Sequence, residues 1–213
     1  MKATAILPVK RFAAAKQRLT AGMGRARRAE IVSAMLEDVL EAIGEARLVE
    51  RTIVVTSEPR AAELAAGAGA EVVADPDEGG HSGATQAGVS RAEELGAECA
   101  VMLPGDCPLL DPLELDRLLT GLPERFVTVV PDRHGTGTNA LVLAPPGAIE
   151  PAFGEGSCAR HVATARAAGT PYAVEELPSL GLDLDTPADV VALTRVLAAD
   201  GKRARRTAKA LGI

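Results

Sequence analysis

The stretch CAVMLPGDCPLL, residues 99–110, combines an apolar run with a rigid turn that carries one carboxylate. The run over 99–103 is continuous, which is typical of a strand buried on both faces of a parallel sheet. Proline and glycine then end the strand, so Asp106 is predicted to lie at its C-terminal edge. In open α/β sheets ligands bind at that edge, because loops and helix N-termini line the crevice there. The stretch therefore predicts an α/β fold with a ligand site beside Asp106.

Apolar runs typical of strands alternate with helical patterns along most of the chain. Predicted strands cover 3–9, 52–56, 71–74, 99–103, 126–130, 139–143 and 172–177, and predicted helices cover 25–43, 60–68, 82–95, 112–119, 157–168 and 187–199. Such alternation implies βαβ crossovers. We predict a mostly parallel mixed sheet with helices on both faces, in a single domain over 1–213, since 213 residues need no second domain.

Composition excludes several classes of protein. Aromatic residues make up 2% of the chain and tryptophan is absent, so the stacking platforms of single-strand nucleic-acid binders are lacking. No apolar run approaches the ~18 residues of a membrane span, and Lys10 and Arg11 interrupt any signal-like region. The three cysteines lack metal-ligand spacing and are predicted to be free thiols. These features predict a cytoplasmic protein that binds neither nucleic acid nor a membrane.

Charge is unevenly distributed along the chain, whose formal net charge is −6. Eight Lys or Arg and no acid precede Glu30, and five Lys or Arg and no acid follow Asp200. An acidic body with a basic leading segment suits a small anionic ligand held by a few cations. Residues 201–213 are predicted to be a basic, solvated C-terminal tail, because termini are usually loosely tied.

The loop after the first predicted strand carries three cations, Lys10, Lys16 and Arg18. This strand and the strand before Asp106 are predicted to end at the same edge, so the loop faces the same crevice. Two ammonium groups and a guanidinium at this spacing can grip a polyphosphate. The loop is neither a Walker A loop nor a dinucleotide fingerprint. A solvated surface loop is the alternative.

A second acidic stretch, GLDLDTPAD at 181–189, adds Asp183 and Asp185 before a predicted helix. Two acidic loops can share one hard cation, since Mg²⁺ takes oxygen ligands and commonly binds through one or two carboxylates plus substrate phosphates. Each carboxylate alone also suits a structural role. Asp106 can cap its turn, and Asp185 can cap the helix that follows.

Five segments together resemble one family of enzymes. They are residues 10–19, LPGDCPLL at 103–110, GTGTNAL at 135–141, FGEGS at 153–157 and LDLDTP at 182–187. Over nearly its whole length the chain is similar to the 2-phospho-L-lactate or phosphoenolpyruvate guanylyltransferases of deazaflavin coenzyme biosynthesis. The acid-bearing turn is shared by many transferases of that fold, whereas the GTGTN loop and the FGxxSxxxH pattern ending at His161 are narrower. The resemblance implies a Rossmann-like nucleotidyltransferase fold of the nucleotide-diphospho-sugar transferase type.

The resemblance also implies a reaction and a set of site residues. GMP passes from GTP to the phosphate of a small phosphorylated carboxylic acid, with Mg²⁺ as cofactor and release of pyrophosphate. The implied sites are the metal site at Asp106, Asp183 and Asp185, the acid site at Thr138, Gly154 and Ser157, the nucleotide site at Pro8, Lys10, Lys16, Arg18, Gly80 and His81, and a catalytic set of Lys10, Lys16 and Asp106. One departure concerns guanine: this chain has GGHSG at 79–83, where many relatives carry Leu-Asn after the glycine pair.

Several alternatives stay open on the sequence alone. The same fold can serve another acceptor, such as molybdopterin or a sugar 1-phosphate, although the first loops of those relatives are richer in glycine than PVKR at 8–11. A non-catalytic nucleotide-binding protein can keep the same pocket. The sequence decides neither which phosphorylated acid is the acceptor nor whether the chain forms a homodimer. His161 follows Ser157 by one helical turn and is predicted to be solvated or to touch a phosphate.

Overall fold

The computed structural model describes residues 2–12, 15–16, 18–19, 23–75, 80–199 and 203–213. Within these ranges the strands are β1 (Ala3–Val9), β2 (Val49–Thr56), β3 (Glu71–Ala74), β4 (Cys99–Met102), β5 (Phe126–Pro131), β6 (Thr138–Ala144) and β7 (Tyr172–Val174). The α-helices are α1 (Arg25–Glu45), α2 (Pro59–Gly67), α3 (Gly80–Glu94), α4 (Pro112–Leu119), α5 (Ser157–Ala167), α6 (Pro187–Ala199) and α7 (Arg205–Leu211).

All of these strands form one mixed sheet, in the order β3-β2-β1-β4-β6-β5-β7. β1 runs parallel to β2 and β4, and β2 parallel to β3. β6 runs antiparallel to β4 and β5, and β7 is parallel to β5. The C-terminal ends of β1 and β4 and the first residue of β6 therefore share one edge of the sheet. The predicted fold class, a mostly parallel mixed sheet, is confirmed.

Helices cover both faces of the sheet because side chains alternate along each strand. On β1, Ala5 and Leu7 pack into one core, whereas Ile6 packs into the other. The first core contains apolar residues of α1, α2 and α4, and the second contains those of α3 and α5. Gly88 of α3 lies so close to Ile6 that any larger side chain would collide with it. α3 therefore packs directly on the middle of the sheet.

The bounds of β3, α4 and α6 are as predicted, and the largest differences concern β2 and β7. β2 begins at Val49, ahead of the predicted start at 52, because its first residues pair with β1 even though their side chains are polar or exposed. β7 ends at Val174, ahead of the predicted end at 177. It lies at the edge of the sheet, and its ladder with β5 ends at Val174.

The prediction of a solvated C-terminal tail is wrong for residues 203–213. α7 packs against α1, and Thr207 is fully buried. Asp38, a buried residue of α1, accepts hydrogen bonds from the N–H groups of Arg206 and Thr207 at 3.2 and 2.9 Å and from the Thr207 hydroxyl at 2.7 Å. Ala204, the N-cap residue of α7, makes no side-chain hydrogen bond, and Asp38 of α1 caps the helix in its place. The basic pattern hid this packing because the acidic partner lies 169 residues earlier.

Two further features bear on the classes of protein considered above. In the described part of the chain, no helix is both long enough and apolar enough to cross a membrane. Cys99, Cys107 and Cys158 are free thiols, as predicted, and the first two are buried.

Candidate active site

A cavity of about 310 Å³ lies at the edge of the sheet where β1 and β4 end. Five residues singled out from the sequence line it: Pro8, Lys10, Lys16, Asp106 and Asp185. They come from the end of β1 and its loop, from the turn after β4 and from the loop before α6. Three segments that are remote in sequence therefore meet, as predicted. A larger groove, of about 630 Å³ between α4 and β7, includes none of these five residues.

The ammonium group of Lys16 lies between two carboxylates in this cavity. Its Nζ is 2.5 Å from Asp106 Oδ2 and 2.5 Å from Asp185 Oδ1. These two oxygens are therefore at most about 5 Å apart. Carboxylates at that separation repel each other unless a cation stands between them. Lys16 supplies this cation.

Lys16 is held firmly in this position. Its side chain is only 8% exposed, and its backbone has φ 53°, in the left-handed region that residues with a side chain seldom adopt. Such strain persists only where surrounding contacts impose it. Burial lowers the pKa of Lys16, but attraction to Asp106 and hydrogen bonds with both carboxylates outweigh it, so the pKa lies above its ordinary value. Lys16 is therefore charged at neutral pH.

Asp183 is half-buried close to the same pair. Its pKa is raised, first by burial and then by repulsion from the carboxylates of Asp185 and Asp106. Within the part of the chain that the structure describes, no three His, Cys, Asp or Glu side chains are close enough to hold a metal ion together. Asp106 and Asp185 thus converge on one point, and the role of Asp183 as a third ligand stays a prediction.

Asp189 fixes the loop that presents Asp185. Its Oδ2 accepts hydrogen bonds from the N–H groups of Asp185 and Thr186 at 3.0 and 2.7 Å and from the Thr186 hydroxyl at 2.8 Å. Its Oδ1 pairs with Arg133 at 2.5 Å. Asp189 thus makes one half of a capping box at the start of α6, because its carboxylate accepts the N–H of Thr186. Burial alone would raise the pKa of Asp189, but these bonds hold it below its usual range.

The loop after β1 is anchored before it reaches Lys16. The hydroxyl of Thr56 donates to the carbonyl of Val9 at 2.7 Å, and the carboxylate of Glu58 accepts the N–H of Phe12 at 3.0 Å. Phe12 itself is buried in the first core. The start of the loop is therefore fixed by two polar contacts and one apolar anchor.

A second polar group lies where β6 and α5 begin. Thr138 Oγ1 is 3.0 Å from Ser157 Oγ and 3.1 Å from His161 Nδ1. Ser157 and His161 are fully buried, whereas Thr138 is partly exposed. The ring of Phe153 contacts His161 edge-on, with the centroids 5.2 Å apart. The structure thus brings together Thr138 and Ser157, the two hydroxyls predicted to hold the phosphorylated acid.

The loop that leads into α5 depends on two glycines in the left-handed region. Gly154 has φ 108° and Gly156 has φ 69°, angles that glycine adopts without strain. The carbonyl of Gly154 accepts the N–H of Ser157 at 3.1 Å. Arg160 donates to three other carbonyls of the loop, those of Ala152, Phe153 and Glu155. The backbone at Gly154 is therefore held in one conformation.

The two polar groups lie on the same edge of the sheet. β6 is antiparallel to β4, so Thr138 begins its strand beside the turn that carries Asp106. The N–H of Leu184 donates to the carbonyl of Asp106 at 3.3 Å. Asn139 donates to the carbonyl of Leu180 at 2.6 Å. The segment before Asp185 is therefore tied both to the Asp106 turn and to β6.

The prediction that His161 is solvated or touches a phosphate is wrong. The ring is fully buried, and burial, followed by the nearby charge of Arg160, lowers its pKa to about 4. Its Nε2 accepts the N–H of Ala152 at 2.9 Å. The spacing of one helical turn does place His161 on the same side of α5 as Ser157, but that side faces the protein interior.

Other predicted nucleotide contacts are less closely gathered. Lys10 and Arg18 are exposed, and Lys10 lines the cavity. Gly80 and His81 begin α3, and the side chain of His81 lies outside the described residues. The roles of Arg18, Gly80 and His81 in binding a nucleotide stay predictions.

A family described as guanylyl transferase CofC like matches residues 3–213. The chain belongs to this family. It is therefore a nucleotidyltransferase, as the resemblance implied, and the reading as a non-catalytic nucleotide-binding protein is not supported.

Curated relatives cover almost the whole chain. The chain is 46% identical over 201 residues to a phosphoenolpyruvate guanylyltransferase of Conexibacter woesei, covering 93% of this chain and 90% of that protein. It is 40% identical over 214 residues to a 3-phospho-D-glycerate guanylyltransferase of Phenylobacterium zucineum, covering 98% and 95%. Guanylyl transfer is thus common to these relatives, whereas the acceptor differs.

Solved structures share the fold at low sequence identity. A nucleotidyl transferase from Methanothermobacter thermautotrophicus superposes with a TM-score of 0.64 at 18% identity, covering 93% of this chain and 98% of that one. A Mycobacterium tuberculosis protein, solved as a complex with manganese, superposes with a TM-score of 0.57 at 20% identity, covering 92% and 99%. These likenesses support the fold.

Sequence reasoning missed two residues that build the site and misjudged the burial of a third. Asp189 could have been found, because Thr186 and Asp189 have the spacing of a capping box. Arg133 gave no signal, since its partner Asp189 lies 56 residues away in sequence. His161 was noticed, but its burial depends on the second core and not on local pattern.

Proposed function

We propose that this guanylyltransferase transfers GMP from GTP to the phosphate of phosphoenolpyruvate and releases pyrophosphate. The observation that carries the proposal is the position of Lys16 between Asp106 and Asp185, on the sheet edge that also bears the Thr138 and Ser157 hydroxyls. Transfer between two highly charged phosphates is catalysed chiefly by positioning and by neutralisation of negative charge. The site offers both.

Asp106 and Asp185 are the residues proposed to hold Mg²⁺. Their oxygens, at most about 5 Å apart, suit a cation that binds through one or two carboxylates plus substrate phosphates. The ammonium group of Lys16 lies between the two carboxylates, which indicates that a positive charge is favoured at this point. Mg²⁺, when bound, withdraws negative charge from the phosphates of GTP. The manganese complex of the mycobacterial structure is consistent with divalent metal use in this fold.

The cations of the first loop are proposed to bind the triphosphate. Lys16 is charged and fixed in the cavity, and Lys10 lines the same cavity. Arg18 follows on the same loop. Negative charge grows on the leaving pyrophosphate during the reaction, so fixed cations there lower the barrier. Pro8, buried at the end of β1, shapes the wall of the cavity from which these side chains extend.

Thr138, Ser157 and the backbone at Gly154 are proposed to hold the phosphorylated acid. An oxygen of the acid's phosphate forms a bond to the α-phosphorus of GTP. The bond from that phosphorus to the oxygen bridging to the β-phosphate breaks, and its electron pair leaves with pyrophosphate. The attacking phosphate is already ionised at neutral pH. The reaction therefore needs no general base.

Phosphoenolpyruvate is proposed as the acceptor because the relative that acts on it is 46% identical, against 40% for the relative that acts on 3-phospho-D-glycerate. The product then enters deazaflavin coenzyme biosynthesis, as the family resemblance implies. The cytoplasmic location expected from the sequence stays a prediction.

Pyrophosphate release from GTP tests the proposal, with phosphoenolpyruvate, 2-phospho-L-lactate and 3-phospho-D-glycerate supplied separately. We expect the fastest release with phosphoenolpyruvate, and slower release when ATP replaces GTP. Faster release with another acid would contradict the acceptor, and release with no acid would contradict guanylyl transfer to this class of substrate.

Asp106→Asn is the matching variant. It should lower the rate at least about a hundredfold, because it removes one of two carboxylates from the metal position. Glu124→Gln is the control, since Glu124 is exposed and precedes β5 at the opposite edge of the sheet. Circular dichroism should show both variants folded. An Asp106→Asn enzyme with unimpaired turnover would overturn the metal assignment.

A further inference from the structure

His161 connects the two segments of the proposed acceptor site. Its Nε2 is 2.9 Å from the N–H of Ala152, in the loop before α5, and its Nδ1 is 3.1 Å from Thr138 Oγ1, at the start of β6. The ring is fully buried and packs against Phe153. A side chain buried in this way acts on a substrate only through its partners.

The contact with Ala152 fixes the tautomer of the ring. A backbone N–H can only donate, so Nε2 must accept with its lone pair and carries no proton. A neutral imidazole then carries its single proton on Nδ1. The ring is neutral at pH 7, because burial lowers its pKa to about 4. Nδ1 therefore donates its proton to Thr138 Oγ1.

The direction of this bond determines what the two hydroxyls can do. Thr138 and Ser157 have two hydroxyl hydrogens between them, and one is used in the 3.0 Å contact that joins them. Since Nδ1 is a donor, neither hydroxyl hydrogen can be given to the ring. One hydroxyl hydrogen of the pair is left to point at a ligand. With the opposite tautomer, Thr138 would donate to the ring and Ser157 to Thr138, and no hydroxyl hydrogen would remain.

We propose that His161 is a positioning residue that orients the Thr138 and Ser157 hydroxyls to donate a hydrogen bond to an anionic oxygen of the phosphorylated acid. This rests on the proposed function, since it takes that acid to lie at these hydroxyls. The peptide N–H of Ala152 starts the chain of hydrogen bonds, and the acid ends it. An anion is the best acceptor for such a chain, because a hydrogen bond to a charged oxygen is stronger than one to a neutral oxygen.

The competing explanation is that His161 merely anchors the loop before α5. Arg160 already holds that loop by bonds to three of its carbonyls, at 3.1 to 3.4 Å. Loop anchoring requires only an acceptor for Ala152, whereas hydroxyl orientation requires a donor to Thr138. The two roles are therefore separable by substitution.

Two variants of equal polarity separate these roles. In His161→Asn the amide nitrogen takes the place of Nδ1 and still donates to Thr138, but the acceptor for Ala152 is lost. In His161→Gln the longer side chain places its oxygen near Nε2 and still accepts from Ala152, but the donor to Thr138 is lost. Both variants lose the ring that packs against Phe153, so each is the structural control for the other.

Calorimetric binding of phosphoenolpyruvate to the free protein, without GTP, provides the main measurement. We expect His161→Gln to raise the Kd about tenfold, as a misdirected hydrogen bond to a charged group should. His161→Asn should raise it less than about threefold. In the Thr138→Val background, His161→Gln should change the Kd by no more than about twofold, because the hydroxyl that links His161 to the acid in the chain of hydrogen bonds is then missing. Equal effects of the two variants, or a larger effect of His161→Asn, would overturn the proposal.

The tautomer is measured independently by nitrogen NMR of protein labelled at its three histidines. The His161 signals are identified in the wild type by the nuclear Overhauser contacts of its ring with the ring of Phe153. We expect a protonated Nδ1 and an unprotonated Nε2, and the reverse would overturn the proposal even if both variants failed to fold. A wild-type protein that binds phosphoenolpyruvate without releasing pyrophosphate would refute the proposed function and leave the Kd comparison valid. A fully active wild type with His161→Gln binding normally would refute this inference alone.

Discussion

Replacing Lys16 by glutamine should destabilise the free protein and make it more responsive to Mg²⁺. The substitution removes the charge that separates Asp106 from Asp185, whose oxygens are at most about 5 Å apart. At that distance two unit charges repel by about 3 kcal/mol in an effective dielectric constant of ~20. The carboxylates are 34% and 51% exposed, so water screens part of this repulsion. We expect a loss of about 2 kcal/mol in the free energy of unfolding.

Mg²⁺ should restore most of that loss in the variant. A ligand that binds only the folded state at 100 times its Kd stabilises that state by about 2.7 kcal/mol. For a chain of this size, such a gain raises Tm by about 5–10 °C. In the wild type the ion must displace the ammonium group of Lys16 from the same carboxylates. The same Mg²⁺ concentration should therefore raise the Tm of the wild type by less.

Thermal unfolding in EDTA and in about 10 mM Mg²⁺ measures both effects. Lys10→Gln is the control, because Lys10 is an exposed lysine of the same loop and its loss should change stability by no more than about 0.5 kcal/mol. If Mg²⁺ raised the Tm of Lys16→Gln no more than that of the wild type, the ion and the ammonium group would not share one position. A Lys16→Gln protein as stable as the wild type in EDTA would contradict the electrostatic argument.

Two predictions concern stability away from the cavity. Asp38→Ala should lower the free energy of unfolding by about 3 kcal/mol or detach α7, because it leaves the buried N–H and hydroxyl of Thr207 without their acceptor. Slow amide hydrogen exchange over residues 203–213 in this variant, together with an unchanged Tm, would contradict the capping role. The stability of the wild type should fall by about 3 kcal/mol as pH drops from about 6.5 to about 4, since unfolded His161 binds a proton that the folded, buried ring refuses. Urea unfolding of His161→Asn should lack this part of the pH dependence.

Local sequence patterns predicted the helices and strands because each element depends mainly on interactions between residues that are close in sequence. The run over 99–103 is apolar on both sides, and the strand it forms is buried on both faces. Asp111 before Pro112 predicted the start of α4, and its carboxylate does accept the N–H of Leu113 at 2.9 Å. Such signals need no knowledge of distant residues.

The contacts that local pattern missed join residues remote in sequence. The sequence of α7 predicts a basic tail, and only the structure shows that Asp38 packs against it. The loop of Asp185 likewise looks like an ordinary helix start, and only the structure shows that Arg133 pairs with Asp189. Both contacts use a buried carboxylate, which is stable only when its partners are present. Nothing in the sequence marks either carboxylate as buried. Each pairing depends on how elements remote in sequence pack against each other.

The sequence predicted in outline that Asp106 and Asp185 converge. It placed both in loops at the C-terminal edge of the parallel strands, where ligands bind in such sheets. What the rule does not supply is the cation between them. The sequence predicts that Lys16 faces a polyphosphate, and the structure adds that its ammonium group neutralises the two carboxylates. This arrangement has a functional consequence. Lys16 holds the two carboxylates in one arrangement, so on the proposed function the binding of a nucleotide requires little further ordering of them. On the proposed function, the triphosphate of GTP binds at this edge of the sheet, and the ammonium group of Lys16 then lies where negative charge has to be neutralised.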